Sequence, residues 1–215
     1  MAVPETAFLD LTKVNYLIKY QLMDTLIFAT NNQNKVKEIR KVLGDIFDVI
    51  TLKEAGITID IPEPYDTLEK NATKKSTTIY SLTGKDCFSE DTGLEVETLN
   101  REPGVKSARY AGENRSDNDN IQKLLSNLIN ENNRRARFRT VISLIREGKE
   151  HQFEGICEGT IIKEQRGEKG FGYDPVFIPD GSEKTFAEMD VEEKNKYSHR
   201  KKATEKLINF LQATY

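Results

Sequence analysis

The order of apolar runs and amphipathic stretches between residues 26 and 91 restricts the fold more than any other feature of the sequence. Residues 26–29 and 48–52 are short apolar runs of the kind found in buried strands. Helical spacing follows each of them, over 36–43 and 66–81, and a third strand-like run begins at residue 86. Alternation of strands and helices is typical of an α/β sheet, whose ligands bind at the carboxyl ends of strands. We therefore predict an α/β fold.

Capping residues predict where these helices begin and end. Asp66 and Glu69 have the spacing of a capping box, which predicts Asp66 as the N-cap of the second helix. Gly84 follows the expected end of that helix. The first helix is expected to end near Gly44, and Ser198 is a suitable N-cap for a final helix.

Residues 88–96 (FSEDTGLEV) place two adjacent carboxylates, Glu90 and Asp91, between apolar side chains. Neighbouring side chains of a strand point to opposite faces, so we expect only one of the two to be on the buried side. Asp and Gly are also disfavoured inside strands, which predicts a strand end or a bulge here. Carboxylates held together in this way bind a divalent cation or hold a water for proton abstraction. An acidic turn between two strands is the alternative.

The second half of the chain predicts one more helix and a pair of long strands. Residues 117–130 place apolar side chains on one helical face. Residues 136–146 and 152–163 are expected to form antiparallel strands of a second lobe, which leaves a cleft against the first sheet. Because the strand pattern begins only after Met23, we predict an N-terminal extension over 1–22 and a single domain over 23–215.

The composition argues against several classes of partner. The 215 residues carry a net charge of -3 with both signs interspersed, so neither nucleic acid nor an anionic membrane is an expected partner. No apolar run approaches the roughly 20 residues of a membrane helix, and no signal peptide is visible. Cys87 and Cys157 lie in strand-like sequence and suit reduced, buried thiols. We therefore expect a cytoplasmic protein.

Two helix starts carry cations where the helix dipole disfavours them. The turn 30–35 joins a buried strand to a helix and places Lys35 in the first helical turn. His199 and Arg200 directly follow the predicted N-cap of the final helix. Cations and backbone N–H groups at these positions suit a phosphate or a carbonyl group. The alternatives are an ordinary Asn-rich turn and a solvated basic helix end.

Two further segments complete a set of groups that fit together chemically. Glu63 lies between two prolines, and residues 167–175 place Phe171 and Tyr173 among glycines, which offers a surface for a flat ring. A hairpin loop with two buried aromatics is the alternative for the second segment. A nucleoside polyphosphate hydrolase requires this combination of groups: hydrogen-bond donors for the phosphates, clustered acids and an aromatic surface. Sites of local inconsistency also tend to be functional.

Five segments follow one another along the chain: 30–35 (TNNQNK), 89–94 (SEDTGL), 103–110 (PGVKSARY), 171–175 (FGYDP) and 198–200 (SHR). In this order they resemble the signature motifs of the inosine/xanthosine triphosphate pyrophosphatases, and the resemblance covers residues 24 to about 212. It implies an elongated two-lobed α/β fold with a mixed sheet and a central substrate cleft, usually as a homodimer. It also implies Mg²⁺-dependent hydrolysis of ITP, dITP and XTP, deaminated purine nucleoside triphosphates, to monophosphate and pyrophosphate.

The resemblance implies roles for individual residues. Asp91 would be the general base and a metal ligand, Glu63 and Glu90 would assist the metal, and Lys35 would stabilise developing charge. The residues expected to hold the triphosphate are Thr30, Asn31, Asn32, Gln33, Asn34, Lys35 and Thr92. Those expected to contact the remainder of the substrate are Arg109, Phe171, Gly172, Tyr173, Asp174, Lys194, His199 and Arg200.

The sequence departs from the family pattern in three places, but none of them removes a chemical role. Asn31 stands where many members have glycine, Thr92 where many have serine, and Lys70 where an acid is frequent.

Selection of the base would depend on a hydrogen-bond donor that pairs with the 6-oxo group of hypoxanthine or xanthine. Adenine has an amino group at that position and would leave this donor unpaired. The rival hypotheses are a pyrophosphatase for modified pyrimidine triphosphates and a non-catalytic nucleotide-binding protein. The intact acids argue against the second.

Overall fold

The computed structural model describes residues 25–43, 47–114 and 116–213. The predicted extension over 1–22 and the predicted helix end near Gly44 lie outside these ranges. The strands are β1 (Thr25–Phe28), β2 (Asp48–Thr51), β3 (Cys87–Val96), β4 (Arg135–Arg146), β5 (Lys149–Ile161) and β6 (Phe177–Pro179). The helices are α1 (Gln33–Leu43), α2 (Leu68–Thr83), α3 (Asp117–Asn127), α4 (Val191–Asn195) and α5 (His199–Ala213).

The six strands form one mixed sheet in the order β2-β1-β3-β4-β5-β6. Strand β1 pairs in parallel with both β2 and β3, whereas β3, β4, β5 and β6 pair antiparallel in succession. The antiparallel pair expected from residues 136–146 and 152–163 is present. The predicted two-lobed α/β fold with a mixed sheet is therefore confirmed.

Strand β3 is shared by the two halves of the sheet. It pairs with β1 only at Cys87 and Phe88, but with β4 along its whole length. Beyond Phe88 its β1 side is therefore free of a paired strand, and Glu90 and Asp91 lie in that stretch. The predicted strand end or bulge is wrong, because the register with β4 runs without a break through both acids.

Glu90 and Asp91 are both buried, at 1% and 6% exposure. The prediction that only one would be on the buried side is wrong because each face of β3 is covered. Glu90 contacts Arg200 of α5, and Asp91 contacts Lys75 of α2. The alternation of side chains along the strand thus sends two adjacent acids to two different partners.

The helix ends differ from prediction at one position. Thr67, not Asp66, is the N-cap of α2, and its hydroxyl accepts the N–H of Lys70 at 3.3 Å. The C-terminal prediction is confirmed, because Gly84 caps α2 with φ of 64° in the left-handed region. Ser198 also caps α5 as expected, and its hydroxyl accepts the N–H of Lys201 at 3.2 Å.

The two largest apolar clusters of the described residues lie in different halves of the molecule. In the first, the rings of Phe28 and Phe88 stack at 4.5 Å between centroids, and side chains of α1 and α5 pack around them. The second contains Phe138, Phe177 and Phe186, together with side chains of α3. Among the described residues, no helix is both long and apolar enough to cross a bilayer.

Helix α5 touches the sheet directly at Gly155 of β5. A Cβ added there would lie 2.0 Å from the carbonyl oxygen of His199 and 2.5 Å from the nitrogen of Ala203. These atoms belong to the helix backbone and cannot move aside independently. The glycine therefore sets the depth at which the start of α5, with His199 and Arg200, lies against the sheet.

We expect Gly155→Ala to lower the free energy of unfolding by about 1–3 kcal/mol or more, because α5 must move away from β5. Urea unfolding followed by circular dichroism measures this loss. Glu158→Ala, at an exposed position of the same strand, is the control. Equal stability of the two variants would show that the contact tolerates a methyl group.

Candidate active site

A cavity of about 560 Å³ opens beside the unpaired edge of β3, within the size range of small-molecule sites. Most of the residues predicted from the sequence line it. These are Thr30, Asn31, Asn32, Lys35, Glu63, Asp91, Thr92, Arg109, Phe171, Gly172, Tyr173, Asp174, Lys194, His199 and Arg200. Gln33, Asn34 and Glu90 are absent from the lining, whereas Lys75, which the sequence analysis missed, is part of it.

One end of the cavity is formed by the turn before α1. The side-chain oxygen of Asn32 accepts the N–H groups of Asn34 and Lys35 at 3.0 and 3.2 Å, and so caps the helix. The Thr30 hydroxyl accepts the N–H of Asn32 at 3.1 Å. The first turn of α1 contains no acidic residue. A helix N-terminus with Lys35 beside it can bind an anion such as a phosphate.

Glu90 lies behind this turn as the centre of a buried charge cluster. Its carboxylate accepts hydrogen bonds from Arg200 at 2.8, 2.9 and 3.1 Å and lies 3.0 Å from the Lys35 ammonium. Glu38 of α1 pairs with both Arg200 and Lys194. Burial would raise the pKa of Glu90, but Arg200 and Lys35 hold it well below its ordinary value. Glu90 therefore remains charged and connects α1, β3 and α5.

Lys75 lies on the opposite face of β3, between two carboxylates. Its ammonium is 2.5 Å from Oε1 of Glu63 and 2.9 Å from Oδ1 of Asp91. The Arg109 guanidinium approaches the other oxygen of Glu63 at 3.4 Å. The sequence did carry a signal for Lys75, because Leu68, Ala72, Lys75 and Ile79 follow one buried helical stripe. A lysine at a buried position of that stripe requires a charged partner.

The pKa values of the two carboxylates that share Lys75 shift in opposite directions. Burial would raise the pKa of Glu63, but Lys75, Lys35 and Arg109 lower it to about 2. Burial raises the pKa of Asp91, and the nearby Glu63 charge adds to this effect against the opposing Lys75 charge. Lys75 is buried as well, but Asp91 and Glu63 raise its pKa, so it stays protonated. Asp91 is thus the more basic of the two acids, which suits proton abstraction.

The other end of the cavity combines aromatic rings with cations. The Lys194 ammonium and the Arg200 guanidinium lie 5.3 and 5.6 Å from the centroid of the Phe171 ring. His199 stacks on Phe138 at 4.8 Å between ring centroids, and its Nδ1 is buried with no hydrogen-bond partner among the described residues. Burial, together with Arg200 and Lys194, lowers the pKa of His199 well below its ordinary value, so the ring is neutral.

Several hydrogen bonds and an ion pair hold the loop that carries Phe171. Asp174 accepts the N–H of Phe171 at 3.0 Å and the Lys194 ammonium at 2.6 Å. The Tyr173 hydroxyl donates to the carbonyl of Ser107 at 2.9 Å. A Cβ on Gly170 would lie 2.0 Å from Asp174, and Gly170 has φ of 79°. The loop therefore requires glycine at this position.

The structure does not bring the three predicted metal ligands together. Glu63 and Asp91 converge on one ammonium, whereas the Glu90 carboxylate is paired with Arg200 on the other face of the strand. Over the part of the chain that the structure describes, no cluster of three or more His, Cys, Asp or Glu side chains could hold a metal ion. Two carboxylates around one cationic group still fit Mg²⁺, which commonly takes one or two carboxylates together with substrate phosphates.

The sequence of this chain is similar to those of known proteins. A sequence profile of the Ham1 family matches residues 26–210. The dITP/XTP pyrophosphatase of Flavobacterium psychrophilum is 51% identical over 185 residues, which are 86% of this chain and 97% of that protein. The dITP/XTP pyrophosphatase of Porphyromonas gingivalis is 52% identical over 190 residues, covering 88% of this chain and 98% of that protein.

Solved structures give the same result for the fold. The Staphylococcus aureus Ham1 protein superposes with a TM-score of 0.82 at 40% identity, covering 89% of this chain and all of that one. A HAM1 protein from Coxiella burnetii also reaches 0.82, at 36% identity. The profile match spans most of the sequence, and these structural matches cover most of the fold. The chain therefore belongs to the Ham1 family.

Proposed function

We propose that this protein hydrolyses deaminated purine nucleoside triphosphates, namely ITP, dITP and XTP, to the nucleoside monophosphate and pyrophosphate. The observation that carries the proposal is the arrangement of one cavity. The Asp91, Lys75 and Glu63 cluster lies in the wall of a cavity that also contains an anion-binding helix start and an aromatic surface with cations. The names of the similar bacterial proteins support the same substrate class.

The phosphates would lie at the start of α1. There the Thr30 hydroxyl and the Lys35 ammonium would supply donors at the positive end of the helix dipole, and Thr92 and Arg109 would supply further polar groups along the wall. Asp91 would accept the proton of the attacking water, because burial raises its pKa above that of an ordinary aspartate. Lys75 would hold Asp91 in place. Its positive charge would also offset the repulsion between the Glu63 and Asp91 carboxylates.

The metal belongs to this proposal. Glu63 and Asp91 are the residues that would hold Mg²⁺, and Glu90 would instead stabilise the fold through Arg200. A bound Mg²⁺ neutralises phosphate charge and orients the phosphate chain. Lys35 would supply additional positive charge to the phosphate oxygens from the start of α1.

The base would lie at the aromatic end. Phe171 offers a ring for stacking, and Lys194 and Arg200 offer donors for the 6-oxo group of hypoxanthine or xanthine. Adenine presents an amino donor at that position and would leave the buried donors unpaired, which discriminates by about 10⁴-fold in sites of this kind. Nδ1 of His199 is buried and has no partner in the part of the chain that the structure describes, so it is one more group that a bound base could satisfy.

The proposal further includes a homodimer and a cytoplasmic location. Both described cysteines are free and buried, and burial raises their pKa values to about 12, as expected for inert thiols in a reducing compartment. Size-exclusion chromatography with light scattering tests the dimer. A single peak at the mass of one chain would remove that part of the proposal.

The function is tested by measuring pyrophosphate release from ITP, XTP, GTP, ATP and a modified pyrimidine triphosphate, with Mg²⁺ and with EDTA. We expect rapid release from ITP and XTP, little from ATP and GTP, and loss of activity in EDTA. Orthophosphate as the product would show that a different phosphorus is attacked. Preference for the pyrimidine substrate would move the protein to another substrate class, and no release from any substrate would favour a binding role.

A further inference from the structure

The segment 57–66 carries Glu63 into the cavity but contains no helix or strand of its own. Ile57, Ile59 and Ile61 pack on an apolar cluster that includes Ile79 of α2. Pro62 and Pro64 remove two backbone donors on either side of Glu63. The position of the Glu63 carboxylate therefore depends on contacts that fix this backbone from outside the segment.

Asn71 of α2 provides such a contact. Its side-chain oxygen accepts the N–H of Tyr65 at 3.0 Å, and its side-chain nitrogen donates to the carbonyl of Tyr65 at 3.0 Å. The amide thus pairs with both backbone groups of one residue, as a neighbouring strand would. Asn71 is fully buried, at 0% exposure, so both of its polar atoms need these partners.

Asn71 and Lys75 are four residues apart on α2 and therefore face the same side of the helix. Lys75 contacts the Glu63 carboxylate, and Asn71 contacts the backbone two residues further along. One helical face thus fixes the segment at two points on either side of Pro64. The same face holds Asp91 through Lys75, so a shift of the segment would change the separation of the two acids.

We infer that Asn71 is a positioning residue that holds the Glu63 carboxylate opposite Asp91 for binding of a divalent cation. Asn71 would touch neither the metal nor the substrate and would act only through the segment 57–66. The inference rests on the proposed function in so far as Glu63 is taken as a metal-binding group. Groups that orient metal ligands typically contribute 10- to 100-fold to metal affinity.

The test uses three variants of the full chain. Asn71→Ala removes both hydrogen bonds, whereas Asn71→Asp keeps an acceptor for the Tyr65 N–H and loses the donor to its carbonyl. Thr77→Ala is the control, because the Thr77 hydroxyl bonds only to carbonyls of its own helix, Thr73 and Lys74, on an exposed side. Urea unfolding gives the folded fraction of each variant before any other measurement.

Three quantities are then compared: amide exchange over 57–66, Mn²⁺ binding without substrate by calorimetry, and the Mg²⁺ concentration that gives half-maximal pyrophosphate release from ITP. We expect Asn71→Ala to speed exchange of the Tyr65 amide, to weaken Mn²⁺ binding about 10-fold or more, and to raise the half-saturating Mg²⁺ similarly. Excess Mg²⁺ should restore much of the rate, and the folded fraction measured beforehand separates this effect from a loss of folded protein. Asn71→Asp should lie in between.

Unchanged Mn²⁺ affinity and Mg²⁺ dependence in folded Asn71→Ala would overturn the inference, even if the Tyr65 amide exchanged faster. Asn71 would then serve only the fold. If the wild-type protein released no pyrophosphate at all, the proposed function would fail separately. Mn²⁺ binding and amide exchange would in that case still decide whether Asn71 positions the Glu63 carboxylate.

Discussion

Replacement of Asp91 by asparagine is expected to lower turnover by about 10²–10⁴-fold, because the variant loses the base that would accept the proton of the attacking water. Asparagine has nearly the same shape, and Lys75 keeps its contact with Glu63 at 2.5 Å. The fold should therefore remain intact. Pyrophosphate release from ITP at saturating Mg²⁺ measures the effect, with the melting temperature as the control for folding. A variant with near wild-type turnover would remove Asp91 from this role.

The pH profile gives a second measurement of the same group. Asp91 must be ionised to act as a base, and burial raises its pKa above the ordinary 3.8. Activity should therefore fall with decreasing pH earlier than it would with an ordinary aspartate, and kcat/KM reports this pKa in the free enzyme. The sign is opposite for stability, since a raised carboxyl pKa in the folded state means that stability from this group declines as the pH rises through it.

Replacement of Glu90 by glutamine is expected to lower the free energy of unfolding by about 3–5 kcal/mol, the usual cost of removing one member of a buried ion pair. The change leaves the buried Arg200 guanidinium with Glu38 as its remaining carboxylate partner. Glu193→Gln, which disrupts an exposed pair with Lys184 at 2.9 Å, is the control and should cost far less, because solvent screens exposed charges. Urea unfolding at neutral pH measures both.

The dependence of stability on acid pH separates the contribution of the Glu90–Arg200 pair from other causes of destabilisation in this variant. The pKa of Glu90 is lowered in the folded state from the ordinary 4.5, so its contribution is fully present above that value and is lost as the pH falls below it. The wild-type protein should therefore lose stability in acid more steeply than the glutamine variant. Equal slopes, or a stability loss no larger than that of Glu193→Gln, would show that the pair with Arg200 contributes little.

Glu90 and Asp91 are adjacent, but their replacement should have different consequences. The sequence predicted both as one acidic group around a metal. The alternation of β3 instead turns Glu90 towards α5 and Asp91 towards α2. Loss of the first should mainly affect stability, and loss of the second should mainly affect turnover. Comparing the two variants in both assays would show whether the face of the strand separates the two effects.

The sequence by itself determined the family and most of the strands and helices, but not β6 or α4. Apolar periodicity located strands and helices, because burial of one face imposes a period of two or of 3.6 residues on the chain. Local capping chemistry located Gly84 and Ser198 correctly, since a cap depends on residues within one turn. The ordered motifs indicated the resemblance to the inosine/xanthosine triphosphate pyrophosphatases and predicted many of the residues that line the cavity.

Tertiary structure alone decided how the charges are paired. Glu90 meets Arg200 across 110 positions of sequence, and Glu63 meets Asp91 only through Lys75 of a helix that lies between them in the chain. Asn71 likewise became visible only through its contact with Tyr65. Local spacing along the sequence does not encode such pairs. The energy of a buried charge depends on its distance to the partner charge, and packing of the folded chain fixes that distance.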